Sequence, residues 1–393
     1  MKEVVIVEGV RTATGKFGGT LSGVPAPIHG GECVRELVAR TQIDPEIIDE
    51  VIIGTHFQAG IKANSARQCA IYGGLPESVP AFTPNKNCAT ALKAMHLAAQ
   101  SIMCQDNEIV IAGGCETMSA IPYILDKARF GYRMGNGEIK DSMLFDGLVD
   151  PFMNYHMGIT AENVAEKCRI DREMQDRFAV LSHQKAKKAW DEGKYDQDIV
   201  PITIKGRKGD VVFKRDETFR ENAEYENFAN MRPVFKKDGT VTAGNASPCN
   251  DGSAVVLMMS AEKAAQLHYK PIVKFVSAVS TAISPSIMGY APVSAIEKLE
   301  KKTGILRKDI GLFELNEAFA AQAVACIKDL KLDPEKVNVN GGAIALGHAV
   351  GCTGCRISIT LMREMQRRGV RYGVASLCIG GGQAMAALFE LCE

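Results

Sequence analysis

From residue 1 to about 119, short apolar runs alternate with stretches of helical periodicity. Residues 4–7 (VVIV), 50–55 (EVIIGT) and 108–114 (EIVIAGG) read as buried strands, the last ending in glycines. Between the second and third lies 89–103, ATALKAMHLAAQSIM, apolar on nearly every face. A helix without a polar side belongs inside a domain.

The texture changes over 120–248, where charge rises and polar turns multiply. A long amphipathic helix is predicted to open at Asp171 as N-cap, with Met174, Phe178 and Leu181 as its apolar stripe. Short strands follow at 200–205 and 211–214. After Asn250 the α/β alternation resumes, and its last part echoes the first. Thr90-Ala91-Leu92-Lys93 opens an apolar helix leading to IVIAGG, and Thr353-Gly354-Cys355-Arg356 opens one leading to VASLCIGGG. This order predicts an α/β protein with an internal duplication. Its segments are 1–119 plus 250–270, an insertion at 120–249, and 271–393.

Composition narrows the class. The chain has 393 residues, enough for two or three domains, with 46% hydrophobic and 23% charged residues. Lys and Arg number 46 against 46 Asp and Glu. A balanced chain has no broad field to attract nucleic acid or an anionic membrane, so neither is an expected partner. Twelve cysteines without regular spacing do not make a disulfide scaffold and are read as reduced. The first residues enter a strand pattern with no leader-like apolar region, and no apolar run approaches the roughly 18 residues of a membrane span. The C-terminal ALFELCE matches no targeting signal. A cytoplasmic protein is expected, with a processed mitochondrial matrix protein as the alternative.

Several residues could carry chemistry. Cys88 stands at a helix start, where free N–H groups and the helix dipole favour a thiolate and could also hold an oxyanion. The alternative is an inert buried cysteine. His348 lies in GGAIALGHAVGCTG, where glycines let the backbone present an imidazole as base or hydrogen-bond donor. The alternative is a structural glycine-rich turn. Cys378 lies at a strand end in CIGGGQA, beside N–H groups that could bind an anion. Asn316 and Glu317 open NEAFAAQA, and there a plain helix cap by Asn316 competes with a functional role. Cys352 and Cys355 form a CxxC, but no second CxxC or HxxxH accompanies it, so no metal site is expected.

Taken in order, NKNCATALKA, GGCETMS, NYHMGITAEN, TAGNASPCNDGSA, NEAFA, GGAIALGHAVGCTG and CIGGGQA resemble the thiolase family along almost the whole chain, in particular its acetyl-CoA acetyltransferase type. The resemblance implies a five-layered α-β-α-β-α fold built from two βαβαβαββ halves with an inserted loop domain. It matches Cys88 to the acyl-accepting nucleophile, His348 to its activating base, and Cys378 to the acid/base acting on the thioester α-carbon. Asn316 matches the holder of a water at one oxyanion hole shared with His348, and the N–H groups of Cys88 and Gly380 match the other hole. His156, Met157 and Ser247 resemble residues beside the pantetheine arm of coenzyme A. Leu148, Phe235, Met288, Ala318 and Phe319 resemble pocket-lining positions, and Arg220 is a candidate contact for the nucleotide phosphates.

The implied reaction is a reversible Claisen condensation of acyl-CoA, most simply acetyl-CoA to acetoacetyl-CoA, with a ketoacyl-CoA of another chain length as the alternative. Coenzyme A thioesters are then substrates, and no permanent cofactor is implied. The segment 124–140 resembles the loop by which related enzymes pair dimers, implying a homotetramer or a homodimer. The sequence departs from the family at Ala89-Thr90-Ala91, at Ala349 and at Pro248-Cys249, all of which bear on the shape of the acyl pocket. Three rivals are a decarboxylating ketoacyl synthase, a non-catalytic coenzyme A-binding protein and a cysteine hydrolase. The first wants a second histidine where Cys378 stands, and the other two leave Cys378 without a purpose.

Overall fold

The computed structural model describes residues 2–207 and 209–392. The first half contributes β1 (Val4–Thr12), β2 (Glu50–Gly54), β3 (Ala81–Phe82), β4 (Ile109–Thr117) and β5 (Asn250–Ser260). The second contributes β6 (Val273–Ala282), β7 (Leu312–Leu315), β8 (Tyr372–Ile379) and β9 (Gln383–Leu391). Among the described residues these strands form one sheet in the order β7-β8-β9-β6-β1-β5-β4-β2-β3. Two short strands, Gly15–Lys16 and Ile199–Val200, attach to β5 and β1.

The duplication is visible in the sheet. In the first half β3 and β4 flank β2 in parallel, and β5 and β1 follow antiparallel. In the second half β7, β8, β9 and β6 repeat the senses of β2, β4, β5 and β1, and a parallel bridge from Phe313 to Val337 stands where β3 would be. Even a bulge recurs, between Ile6 and Glu8 in β1 and between Phe275 and Ser277 in β6. The halves join where Val5 and Ile6 pair with Lys274 and Val273.

Every residue of β4 and β5 is buried, as expected for strands covered on both faces. On one outer face α1 (Ala26–Thr41) and α2 (Ser65–Tyr72) pack Val34, Leu37 and Cys69 against Val51, Ile111 and Val255. Between the two half-sheets lie α3 (Thr90–Cys104) and, in the second half, the helix Thr353–Arg368. Their Leu92, Met95, Ile357 and Leu361 meet Val110, Val256, Leu377 and Met385. The helices Ala291–Thr303 and Ala320–Leu330 cover the far face through Ile296, Leu299, Cys326 and Leu330. Five layers result, and the apolar character of 89–103 has its reason in the central one.

The insertion supplies α4 (Met157–Cys168) and α5 (Arg172–Asp191). Asp171 caps α5 as expected, accepting from the Met174 N–H at 2.8 Å. The apolar stripe is not the buried face, however. Met174 and Leu181 are 45% and 40% exposed, while α5 buries Gln175, Asp176, Ala179, Ser182, His183 and Ala186. Its inner face combines polar partners with an apolar cluster in which Ala179 and Val180 meet Phe228, Ala320 and Ile344. Asp176 accepts from Arg172 and Asn245, and Ser182 donates to Glu317. Small Ala186 lets the chain at Gly341 approach so closely that a Cβ there would lie 2.7 Å away.

A buried ion pair ties the insertion to the sheet. Arg11 of β1 reaches Asp216 through two bonds of 2.8 and 3.0 Å, and Trp190 donates to the same carboxylate. With the three later helices already described labelled α6 (Ala291–Thr303), α7 (Ala320–Leu330) and α8 (Thr353–Arg368), the elements that frame the site are complete. No helix among the described residues is long and apolar enough to cross a membrane.

Candidate active site

Cys88 sits in a single 3₁₀ turn, Asn87–Ala89, immediately before α3. Asn87 adopts φ 45°, a left-handed value that asparagine tolerates, and its N–H is held by Asn85 at 3.0 Å. The turn leaves Cys88 half-buried at the mouth of a central helix. From the other half-sheet, β8 ends just before Gly380, Gly381 and Gly382 turn the chain into β9. The Gly380 N–H donates toward the Cys88 sulfur. Cys378 is fully buried among Met157, Met288, Ala318 and Phe319, close enough to feel the charge of Cys88.

His348 arrives on the loop before α8. Its N–H donates to Asn250 Oδ1 at 2.9 Å, and its Nδ1 lies 2.7 Å from Thr353 Oγ1. Gly347, at φ 92°, leaves no room for a side chain, since a Cβ would meet Asn250 at 2.5 Å. Asn316 follows β7 and donates its N–H to the Ser376 carbonyl. It does not cap α7, which begins four residues later at Ala320 behind Phe319. Both Asn316 side-chain atoms and His348 Nε2 are buried without a partner among the described residues. Buried polar atoms are normally bonded, so these three are available to bond a group that enters the site.

Cys88, His348 and Gly380 open onto one cavity of about 320 Å³. The sequence-predicted His156, Met157, Leu148, Phe235, Ser247, Met288, Ala318 and Phe319 also line it. Phe235 stacks on His156 at 4.5 Å between centroids, and Gly158 is required there because a Cβ would lie 2.3 Å from that ring. Asn316 and Cys378 are not on the cavity surface, and Cys378 packs behind it against Met157, Met288, Ala318 and Phe319, while Asn316 immediately precedes the Glu317-Ala318 segment. Arg220 is elsewhere. It is not among the lining residues, and its guanidinium lies 4.9 Å over the Phe228 ring.

Residues 4–262 match the family of the thiolase N-terminal domain and residues 269–391 that of the thiolase C-terminal domain. The chain belongs to the thiolase family. A probable acetyl-CoA acyltransferase of Staphylococcus aureus (strain COL) is 51% identical over 389 residues, covering 99% of each chain. The acetyl-CoA acetyltransferase of Bacillus anthracis superposes with a TM-score of 0.98 at 44% identity, over 100% of this chain and 99% of that one. That of Syntrophomonas wolfei gives 0.97 at 42% identity, over the full length of both.

In this thiolase, burial dominates the site's electrostatics. It pushes the Cys88 thiol up, against the Gly380 N–H and the cysteine's own N–H, which favour the thiolate. Burial raises Cys378 well above the ordinary thiol range, and nearby Cys88 adds to the effect. His348 is pushed down to about 3 by burial first, then by Arg356 and His56. The resting thiolase site therefore holds two thiols and a neutral imidazole, a neutral set in which charge develops during reaction.

Sequence reasoning missed one wall. His56, Phe57, Met118 and Val350 line the cavity beyond Cys88, where Phe57, Met118 and Val350 form an apolar cluster with Met143 and Cys249 packed against it. Met118 and Val350 stand in the quoted GGCETMS and GGAIALGHAVGCTG without having been assigned to a wall. Glu116 was also passed over, although it stands in the quoted GGCETMS. No three His, Cys, Asp or Glu side chains gather into a metal site among the described residues.

Proposed function

We propose that this thiolase interconverts acetoacetyl-CoA plus coenzyme A with two molecules of acetyl-CoA through an acetyl group carried on Cys88. In the thiolysis direction His348 takes the Cys88 proton and the sulfur attacks the 3-keto carbon. The C2–C3 bond breaks, and the carbanion of acetyl-CoA takes a proton from Cys378. Coenzyme A then gives its thiol proton to Cys378 and attacks the acetyl group, while Cys88 leaves and recovers its proton from His348. Condensation is the reverse.

Negative charge gathers on a carbonyl oxygen in both halves. The N–H groups of Cys88 and Gly380 serve one oxygen, and Asn316, through a water, with His348 serves the other. His156, Met157, Leu148, Phe235, Ser247, Met288, Ala318 and Phe319 receive the pantetheine arm and thioester. Arg220, outside the cavity, is left at most a distant contact to the nucleotide.

The observation that carries this reading is the convergence of Cys88, Gly380 and His348 on one cavity with Cys378 behind it, from positions up to 292 residues apart (380 − 88). Intact mass after incubation with acetoacetyl-CoA tests it. An acetyl adduct is expected in the native chain and absent in Cys88→Ala. No adduct in the native chain would overturn the reading.

A second reading, cleavage of longer ketoacyl chains, is favoured by the apolar wall of Phe57, Met118 and Val350 beyond Cys88. Thiolysis rates along a series of ketoacyl-CoA lengths separate the two. The proposal extends to a cytoplasmic enzyme of fatty-acid metabolism, assembled as a homotetramer or homodimer. The segment 124–140 exposes Phe130 by 87% and Met134 by 98%, which supports burial against another copy. The division into 1–119 with 250–270, 120–249 and 271–393 belongs to the same reading. Met1 and Glu393, at its two ends, lie outside the described residues.

A further inference from the structure

We infer that Thr353 is a positioning residue for the reaction, its hydroxyl holding His348 in the tautomer that carries hydrogen on Nδ1 and leaves Nε2 free to accept a proton. The inference rests on the catalytic reading of Cys88 and His348 given above.

Two observations carry it. The first is the hydrogen-bond chain on the near side of the ring. His348 Nδ1 lies 2.7 Å from Thr353 Oγ1, and Thr353 Oγ1 donates to the Ala349 carbonyl at 2.8 Å. A hydroxyl has one hydrogen. With that hydrogen on Ala349, Oγ1 can only accept from His348, so Nδ1 carries the proton. Thr353 is the first residue of α8, and its own N–H also bonds Ala349, so the helix start fixes the hydroxyl in place.

The second observation is on the far side of the ring. His348 Nε2 is buried, has no partner among the described residues, and belongs to a residue that lines the cavity with Cys88. In the other tautomer Nε2 would be a buried N–H with nothing to bond, and it could not serve as a base. Orphaned buried N–H groups are rarer than orphaned acceptors. Both sides of the imidazole therefore select the same tautomer.

The choice of a hydroxyl has a chemical consequence. A carboxylate beside Nδ1 would stabilise the imidazolium and trap the proton. Neutral Thr353 orients the ring without doing so, and His348 can return the proton to the departing Cys88 sulfur within the same turnover.

The experiment uses full-length protein labelled with ¹⁵N-histidine, with His348 assigned from a His348→Asn sample. At neutral pH the expected spectrum shows His348 protonated on Nδ1 and bare on Nε2. A native signal protonated on Nε2 would overturn the inference, and it needs no variant to fold. Thr353→Val should lower kcat by about 100-fold with KM little changed and shift His348 toward the Nε2–H form. Thr353→Ser, which keeps the hydroxyl, should retain kcat within a few-fold. Full activity in Thr353→Val would also overturn it. Acetylation of Cys88 in the native chain, read by mass, is a separate outcome: its failure sinks the parent function, whereas acetylation with the wrong tautomer sinks only the role of Thr353.

Discussion

The carboxylate of Glu116, at the end of β4, accepts a hydrogen bond from the N–H of Gly351, 235 residues away on the loop that presents His348, at 3.0 Å. The same side chain accepts from Thr55 Oγ1 and from the N–H groups of His56 and Phe57. Burial pushes this carboxyl up to about 7, and the four donors oppose that push. Glu116 thus clamps the histidine loop of one half to the cavity wall of the other.

Glu116→Gln should therefore impair a thiolase whose catalytic side chains are all intact. A glutamine turns one acceptor into an NH₂ that faces donors in either orientation. We expect kcat to fall at least about tenfold and stability to drop by about 2–4 kcal/mol. Steady-state kinetics with thermal unfolding check both, and native values in both would contradict the clamp.

A contact between backbones makes Gly114 irreplaceable. A Cβ there would lie 2.0 Å from the Gly351 carbonyl oxygen, which cannot move without the histidine loop. Gly114→Ala should cost about 3 kcal/mol or more. Gly23→Ala, with nothing within 4 Å, serves as a control expected to stay within about 0.5 kcal/mol in urea unfolding.

Acid should destabilise the fold through its buried histidines. His29 is fully buried between Ser253 and Thr117, and burial pushes it down to about 3. Its folded value lies below the unfolded one, so between about pH 3 and 6.5 the unfolded chain binds the extra proton and stability falls as pH falls. At pH 5 the loss from this one group is about 2 kcal/mol. Comparing urea midpoints at pH 7 and pH 5, His29→Gln should lose less on acidification than the native chain by about that amount. An identical loss in both would refute the assignment.

On α5 burial does not follow apolar character alone. Met174→Gln and Leu181→Gln should each change stability by no more than about 0.5 kcal/mol, because both side chains are exposed. Asp176→Ala should cost about 2–4 kcal/mol, because it removes the shared acceptor of Arg172 and Asn245 from a buried position. Chemical denaturation of the three variants tests the inversion directly.

Strands and helices of the two halves were legible because their signals are local. The glycine-ended strands, the all-apolar helix after Cys88 and the Asp171 cap follow from residue order, and each recurs in the structure. The α5 stripe misled because periodicity reports which residues share a face, not what that face will meet. Arg220 was not placed by the sequence for a similar reason: a basic residue in a loop has no local feature that says which ring or phosphate it will lie against. His56, Phe57 and Val350 could not be assigned to a wall, since they come from segments nearly 300 positions apart.

By itself the sequence determined the alternation of elements, the repeated half and the residue types able to do acyl transfer, since these depend on neighbours along the chain. Only the tertiary structure decided that Cys88 meets the Gly380 N–H, that Thr353 and Glu116 hold the histidine and its loop, and that burial leaves the sulfurs protonated and the imidazole neutral. Those properties arise from distances and from exclusion of water, and neither exists until the two half-sheets close on their shared helices.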